Sequence, residues 1–146
     1  MTLNETDKAT MISYRIEQAG ETIKEAELLI SNKMYRAANN RIYYGVFYAL
    51  LALALKHDFT TSKHSQLIGW FNKTFVAPEI LSRELGKTIS RIFESRIKGD
   101  YDSFITISES EIISRFSEMK ESRTIKPTAY CFRESASLAL LIEFAK

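Results

Sequence analysis

From Met11 onward the apolar residues Ile12, Ile16, Ala19, Ile23, Ala26 and Ile30 recur at spacings of 4, 3, 4, 3 and 4. That period draws one stripe along a helix of about six turns. The polar run Ser31-Asn32-Lys33 turns the chain, and a second helix is predicted from about Met34 to Lys56, amphipathic at first and apolar later. Because the connection is short, the two helices are expected to lie side by side and antiparallel.

In the stretch "TTSKHSQLIGWFNKTF", Ser62 is a candidate N-cap, and Leu67, Ile68, Phe71 and Phe75 fall on one face of a short third helix. Pro78 suits the first turn of a fourth helix whose stripe is Leu81, Leu85, Ile89 and Ile92. Gly99 is placed to end that helix in the left-handed conformation that glycine adopts cheaply. Ser108-Glu109-Ser110-Glu111 has the Ser-x-x-Glu form of a capping box, and Ile112, Ile113, Phe116 and Met119 continue it at helical spacing. Pro127 interrupts the pattern, and "AYCFRESASLALLIEFAK" reads as a last helix too crowded with apolar residues to show a clean stripe. Without strand signals, repeats or a divisible linker, the expected architecture is all-α, an antiparallel up-and-down bundle of four to five helices, with residues 1–146 as a single domain.

Composition narrows the partners. At 146 residues with 45% hydrophobic side chains, one domain can bury a core and two would each be too small. Twenty basic against eighteen acidic residues leave a net charge of +2, which provides no strong drive toward nucleic acid or a membrane surface, and there is no DNA signal. The longest run without a formal charge, Ile42 to Leu55, is fourteen residues with three tyrosines and a glycine, too short to span a bilayer. It reads instead as the central helix of the bundle. The single cysteine, Cys131, cannot form an intramolecular disulfide, and no charged-then-apolar leader opens the sequence, so a cytoplasmic location is expected.

Common catalytic motifs are missing. There is no Gly-rich phosphate loop, no Cys-x-x-Cys, no His-Glu-x-x-His and no Gly-x-Ser-x-Gly. His57 and His64 lie seven apart with no acidic cluster or cysteine to join them, so no metal site and no cofactor is expected. The aromatic set Tyr43, Tyr44, Phe47 and Tyr48 could stack on bases with Arg36 and Arg41 nearby for phosphates, but without a dense basic run that spacing favours core or dimer packing.

Several segments together resemble the HEPN superfamily (higher eukaryotes and prokaryotes nucleotide-binding domain), in particular its small stand-alone prokaryotic members. They are Ala26-Glu27-Leu28-Leu29-Ile30, "YRAANNRIYYGVFYALLALAL" from Tyr35 to Leu55, "KHSQLIGWFNKTFV" from Lys63 to Val76, and "RIKGDYD" from Arg96 to Asp102. The most specific is the Ala-x-x-Arg-x-Tyr-Tyr-x-x-Phe pattern of Ala38, Arg41, Tyr43, Tyr44 and Phe47 on the second helix. The resemblance covers about residues 10–121 and leaves the stretch after Glu121 without a role.

The resemblance implies a homodimer, often paired as a toxin with a minimal nucleotidyltransferase as antitoxin. It also implies a metal-independent ribonuclease site in which an arginine is followed, after four to six intervening residues, by a histidine. Attack by an RNA 2'-hydroxyl needs a proton acceptor and a cation for the extra phosphoryl charge, and those two residues supply both. Here the sequence departs from the pattern: counting from Arg96, the positions for histidine hold Tyr101, Asp102 and Ser103. The catalytic candidates are therefore Arg96, Tyr101 and Asp100, a degenerate set, with Arg41, Tyr44 and His64 as candidates for holding a nucleotide or RNA. Tyr101 and Asp100 are poor bases at neutral pH. The competing structural reading pairs Arg96 with Asp100 around a Gly99 cap and packs Tyr101 on the bundle. Three functions follow: a dimeric module that binds RNA or a nucleotide, a non-catalytic partner subunit for a nucleotidyltransferase, and an active endoribonuclease that requires His64 or Tyr101 to replace the family histidine.

Overall fold

The computed structural model describes residues 3–101 and 106–120, and of residues 99–101 and 118–120 the backbone alone. These residues form α1 (Glu5–Ser31), α2 (Tyr35–Lys56), α3 (His64–Phe71) running into a π-helical turn (Asn72–Val76), α4 (Arg83–Tyr101) and α5 (Glu109–Lys120), with no strand among them. The all-α bundle read from the sequence is what the chain adopts.

Helix α1 begins about two turns before its apolar stripe, because Asn4 Oδ1 accepts from the Asp7 amide at 2.8 Å and caps it. Its stripe faces the bundle, with Ala19 and Ala26 fully buried and Ile12, Ile16, Ile23 and Ile30 packed against the core. The chain then reverses through Lys33, whose φ of 58° is left-handed. The Met34 amide donates to Leu29 O and the Lys33 amide to Ile30 O, both at 2.9 Å, a paired termination that satisfies carbonyls the helix end would otherwise leave open. Asp58 ends α2 in the same way with φ 57°.

Antiparallel packing of α1 and α2 follows from the contacts at both ends. Lys8 reaches Asp58 at 2.7 Å and Glu25 reaches Arg41 at 3.5 Å. Helix α2 is buried around most of its circumference, with Ala38, Ile42, Tyr43, Val46, Ala49, Leu50 and Leu53 all inside. It is the axis on which the other helices pack. Ser95 on α4 and Arg115 on α5 both meet the buried Asn39 of α2, so α4 and α5 lie on the same flank.

Three further boundaries differ from the sequence expectation. Pro78 does not open α4. It follows the π-turn, which continues α3 until the Ala77 amide donates to Asn72 O at 2.8 Å, and Glu79 then turns the chain with φ 59°. A proline just past a helix end cannot extend it, and here it stops one helix rather than starting the next. Helix α4 instead starts at Arg83, with Ser82 Oγ accepting from the Leu85 amide at 3.2 Å. Ser62 does not cap α3: Lys63 holds the cap position without a side-chain bond, and the hydroxyl of Thr61 accepts from the Lys63 amide at 3.1 Å. Gly99 does not end α4, which runs on through it to Tyr101. A glycine inside a helix costs only about 1 kcal/mol, which the packed stripe of Leu85, Ile89 and Ile92 can outweigh.

The capping box at α5 forms as its spacing requires. The Glu111 amide donates to Ser108 Oγ at 3.3 Å, and Glu111 Oε2 accepts from the Ser108 amide at 3.0 Å. The Ser108 amide, and the Ser108 hydroxyl donating to the same oxygen at 3.1 Å, hold the Glu111 carboxyl below its ordinary range. The expected last helix over "AYCFRESASLALLIEFAK", Cys131 included, lies outside the described residues.

Candidate functional site

The polar groups of interest converge on the first half of α2, because three elements meet there. Helix α2 carries Arg41, Tyr43, Tyr44 and Phe47; α3 contributes its first residue, His64; α4 contributes Arg96 from its last turns.

Tyr43 is the hub. Its ring is 3% exposed, and its hydroxyl shares a hydrogen bond with His64 Nδ1. The Arg96 guanidinium lies over the same ring, 5.0 Å from its centroid, and also 5.7 Å from the Tyr44 centroid. Arg96 Nη2 stands 3.5 Å from the Tyr44 hydroxyl oxygen. Two aromatic faces thus orient a permanent cation, an arrangement worth about 0.5–2 kcal/mol per ring depending on desolvation. Phe93 closes the side of Tyr43 at 5.9 Å.

His64 sits against Phe47, with ring centroids 4.1 Å apart, and 5.6 Å from Tyr43. Burial first, and the Arg96 charge second, hold its imidazole below the ordinary histidine value of 6.5. It is therefore neutral at pH 7. Tyr43 moves the other way: burial pushes its hydroxyl up to about 12 against the pull of Arg96, so it remains a phenol. The structure thus places His64 within the electrostatic reach of Arg96, which spacing along the chain could not reveal.

Arg41 lies at the edge of this cluster, 5.1 Å over Tyr44, held by Asn40 Oδ1 at 2.9 Å and by Glu25. Asp100 and Tyr101 fall in the backbone of the last turn of α4, and their side chains lie outside the described residues, as does Asp102. Arg91, five residues before Arg96, turns away to Glu84 at 2.8 Å. His57 packs with Phe75 and Trp70. Among the described residues no three His, Cys, Asp or Glu side chains group as metal ligands.

The model of the HEPN domain matches residues 12–125. The chain belongs to the HEPN domain family. Its relatives are small prokaryotic proteins. A "UPF0332 protein" of Thermotoga maritima is 38% identical over 110 residues, covering 75% of this chain and 82% of its own. From Methanocaldococcus jannaschii, "Putative toxin MJ0605" is 34% identical over 116 residues, 79% of this chain and 87% of its own. "Putative toxin MJ0142" of the same organism is 34% identical over 96 residues, 66% of this chain and 65% of its own.

Within this HEPN domain, sequence reasoning missed Tyr43 as the connecting group and overlooked Tyr14 and Arg15 of α1 altogether. Arg15 lies over Tyr14 at 5.7 Å and over Tyr48 of α2 at 5.8 Å. A signal existed: position 15 is three after Ile12 and four before Ala19, a charge on the edge of an otherwise apolar stripe. No helix among the described residues is long and apolar enough to cross a membrane.

Proposed function

We propose that this HEPN domain is a toxin-type module that binds RNA at the Arg96, Tyr43 and His64 cluster and cleaves it without a metal. The observation that carries the reading is that one buried tyrosine, Tyr43, holds both a neutral imidazole and a guanidinium. Those are the two groups that transfer at an RNA phosphate requires, and His64 supplies from α3 the imidazole missing after Arg96.

In the proposed step the 2'-hydroxyl oxygen forms a bond to the adjacent phosphorus while the bond to the 5'-oxygen breaks. The products are a 2',3'-cyclic phosphate and a 5'-hydroxyl. His64 takes the 2'-hydroxyl proton, and the departing 5'-oxygen takes a proton from water or from a second protomer's imidazolium. Arg96 compensates the charge that builds on the phosphoryl oxygens, and being permanently protonated it does so at any working pH. To accept at Nε2, the imidazole must carry its hydrogen on Nδ1 and donate it to the Tyr43 oxygen. Arg41 and Tyr44 hold the neighbouring nucleotide. Asp100 and Tyr101 follow Arg96 closely enough in the chain to serve the same ligand. A homodimer, and pairing with a minimal nucleotidyltransferase as antitoxin, complete the reading on family resemblance.

The test is incubation of wild type and Arg96→Ala with a mixed single-stranded RNA in EDTA, following binding and cleavage together. Cleavage by the wild type, lost in the variant and in His64→Gln, is expected. Binding without cleavage, lost in Arg96→Ala, would leave a nucleotide-binding module. Neither activity would leave a protein-interaction subunit.

A further inference from the structure

Cations and aromatic rings do not stop at Arg96. From Tyr44, where Arg96 and Arg41 both lie, the series continues to Tyr48 at 5.8 Å between ring centroids, then to Arg15 over Tyr48 at 5.8 Å, and finally to Tyr14 at 5.7 Å. It crosses from α2 to α1. Tyr44 and Tyr48 lie one turn apart on α2, while Tyr14 is 57% exposed. A ring so exposed contributes little to the core, and a half-buried arginine between two rings keeps its charge available to a ligand.

We infer that this ladder is the path of a single-stranded RNA leading away from the cleaved phosphate, with bases on the Tyr44, Tyr48 and Tyr14 rings and phosphates near Arg41 and Arg15. The inference rests on the function proposed above and specifies its substrate as single-stranded, extended by about three nucleotides beyond the site, and of any sequence. Alternation of rings with guanidinium groups matches a chain that alternates bases with phosphates, and stacking tolerates every base because each has a π-face. A single strand suits the rings better than a duplex, because each unpaired base can turn a face to a ring. A duplex hides the base faces that the rings would meet.

The experiment uses the full chain and 2'-O-methyl RNA, which cannot be cleaved, with binding read by fluorescence anisotropy. The probes are a dinucleotide, a mixed-sequence 12-mer and the 12-mer's duplex. Tyr14→Leu and Tyr48→Leu should each weaken the 12-mer about tenfold, the equivalent of roughly 1.4 kcal/mol and within the range of one stacked base. Neither should change dinucleotide affinity, and the duplex should bind the wild type more weakly than the single strand. Tyr14 is exposed, so its variant keeps the inference falsifiable even if Tyr48→Leu unfolds. If both variants bind the 12-mer as the wild type does while Arg96→Ala has lost it, the path is wrong and the function stands. If Arg96→Ala binds every probe like the wild type, the function itself fails. If Tyr14→Leu weakens the 12-mer only while converting a dimer to monomer by light scattering, the face belongs to a second copy and the path is overturned.

Discussion

Replacing Tyr43 by phenylalanine removes the hydroxyl bonded to His64 Nδ1 and leaves the ring beneath Arg96. The two halves of the site then come apart in a measurable way. A net hydrogen bond is worth about 0.5–1.5 kcal/mol, and a fully buried orphaned partner would add its own desolvation cost. His64 is half-buried rather than enclosed, so the second term stays below its full value. The expected loss of stability is therefore about 1 kcal/mol, or roughly a fivefold change in the unfolding equilibrium. In urea unfolding this appears as a lower midpoint with an unchanged slope.

Function should respond unequally. Arg96 keeps both of its rings, so single-stranded RNA affinity should stay within about twofold of wild type. Cleavage should fall by about a hundredfold, the lower end of what a positioned base contributes, because the imidazole loses the group that fixes its hydrogen and its orientation. A Tyr43→Phe variant with wild-type stability and wild-type cleavage would refute the role given to this contact. Equal losses in binding and cleavage would mean that the ring, and not the hydroxyl, had moved.

Three further outcomes follow from the same geometry. Arg96→Ala removes a positive charge that depresses His64, so the His64 resonance followed by NMR should titrate at higher pH than in the wild type while burial still keeps it below 6.5; no change would place Arg96 out of reach. Because the folded His64 value lies below the unfolded 6.5, the unfolded chain binds the proton first, and stability falls as pH drops below about 6.5 until the folded group also titrates. His64→Gln should therefore reduce the loss of urea midpoint between pH 7 and pH 5.5, and an undiminished loss would sink the assignment. Lys33→Gly should stabilise by about 0.5–1 kcal/mol in thermal unfolding, since a left-handed φ costs an L-residue roughly 1–2 kcal/mol and glycine's greater freedom when unfolded returns part of it; destabilisation would contradict the φ of 58°.

What the sequence disclosed and what it hid divide along a physical line. Stripes, the Ser108 capping box and the central position of α2 are local properties, set by residues within a turn or two of one another, and periodicity reads them directly. The start of α1 at Glu5 was hidden because its first turns are polar and only the Asn4 cap marks them. The π-turn after α3 was hidden because a proline that stops one helix and a proline that opens the next look alike in sequence, and the run of α4 through Gly99 because packing overrides the local preference of glycine. Family resemblance brought Arg96, Arg41, Tyr44 and His64 forward as separate residues. Their assembly is tertiary: Tyr43 and His64 are 21 residues apart, and Tyr44 and Arg96 are 52 apart.

That assembly depends on how α3 is anchored, since His64 is its first residue and the cap position, Lys63, makes no side-chain bond to the helix. First turns without such a cap fray, and a frayed first turn would carry the imidazole away from Tyr43. Three contacts counter this. Thr61 holds the Lys63 amide, Leu67 and Phe71 bury the inner face of α3, and Phe59 stacks on Trp70 at 4.9 Å with ring planes 6° apart, tying the loop before the helix to its far end. The loop and the helix therefore move as one body, and the imidazole is placed by aromatic packing on one side and by the Tyr43 hydroxyl on the other. An arginine and a histidine on one helix would share a single rigid frame. Here the frame is the buried face of α2, and Tyr43, being almost fully enclosed, is the residue able to hold partners from two other helices in register.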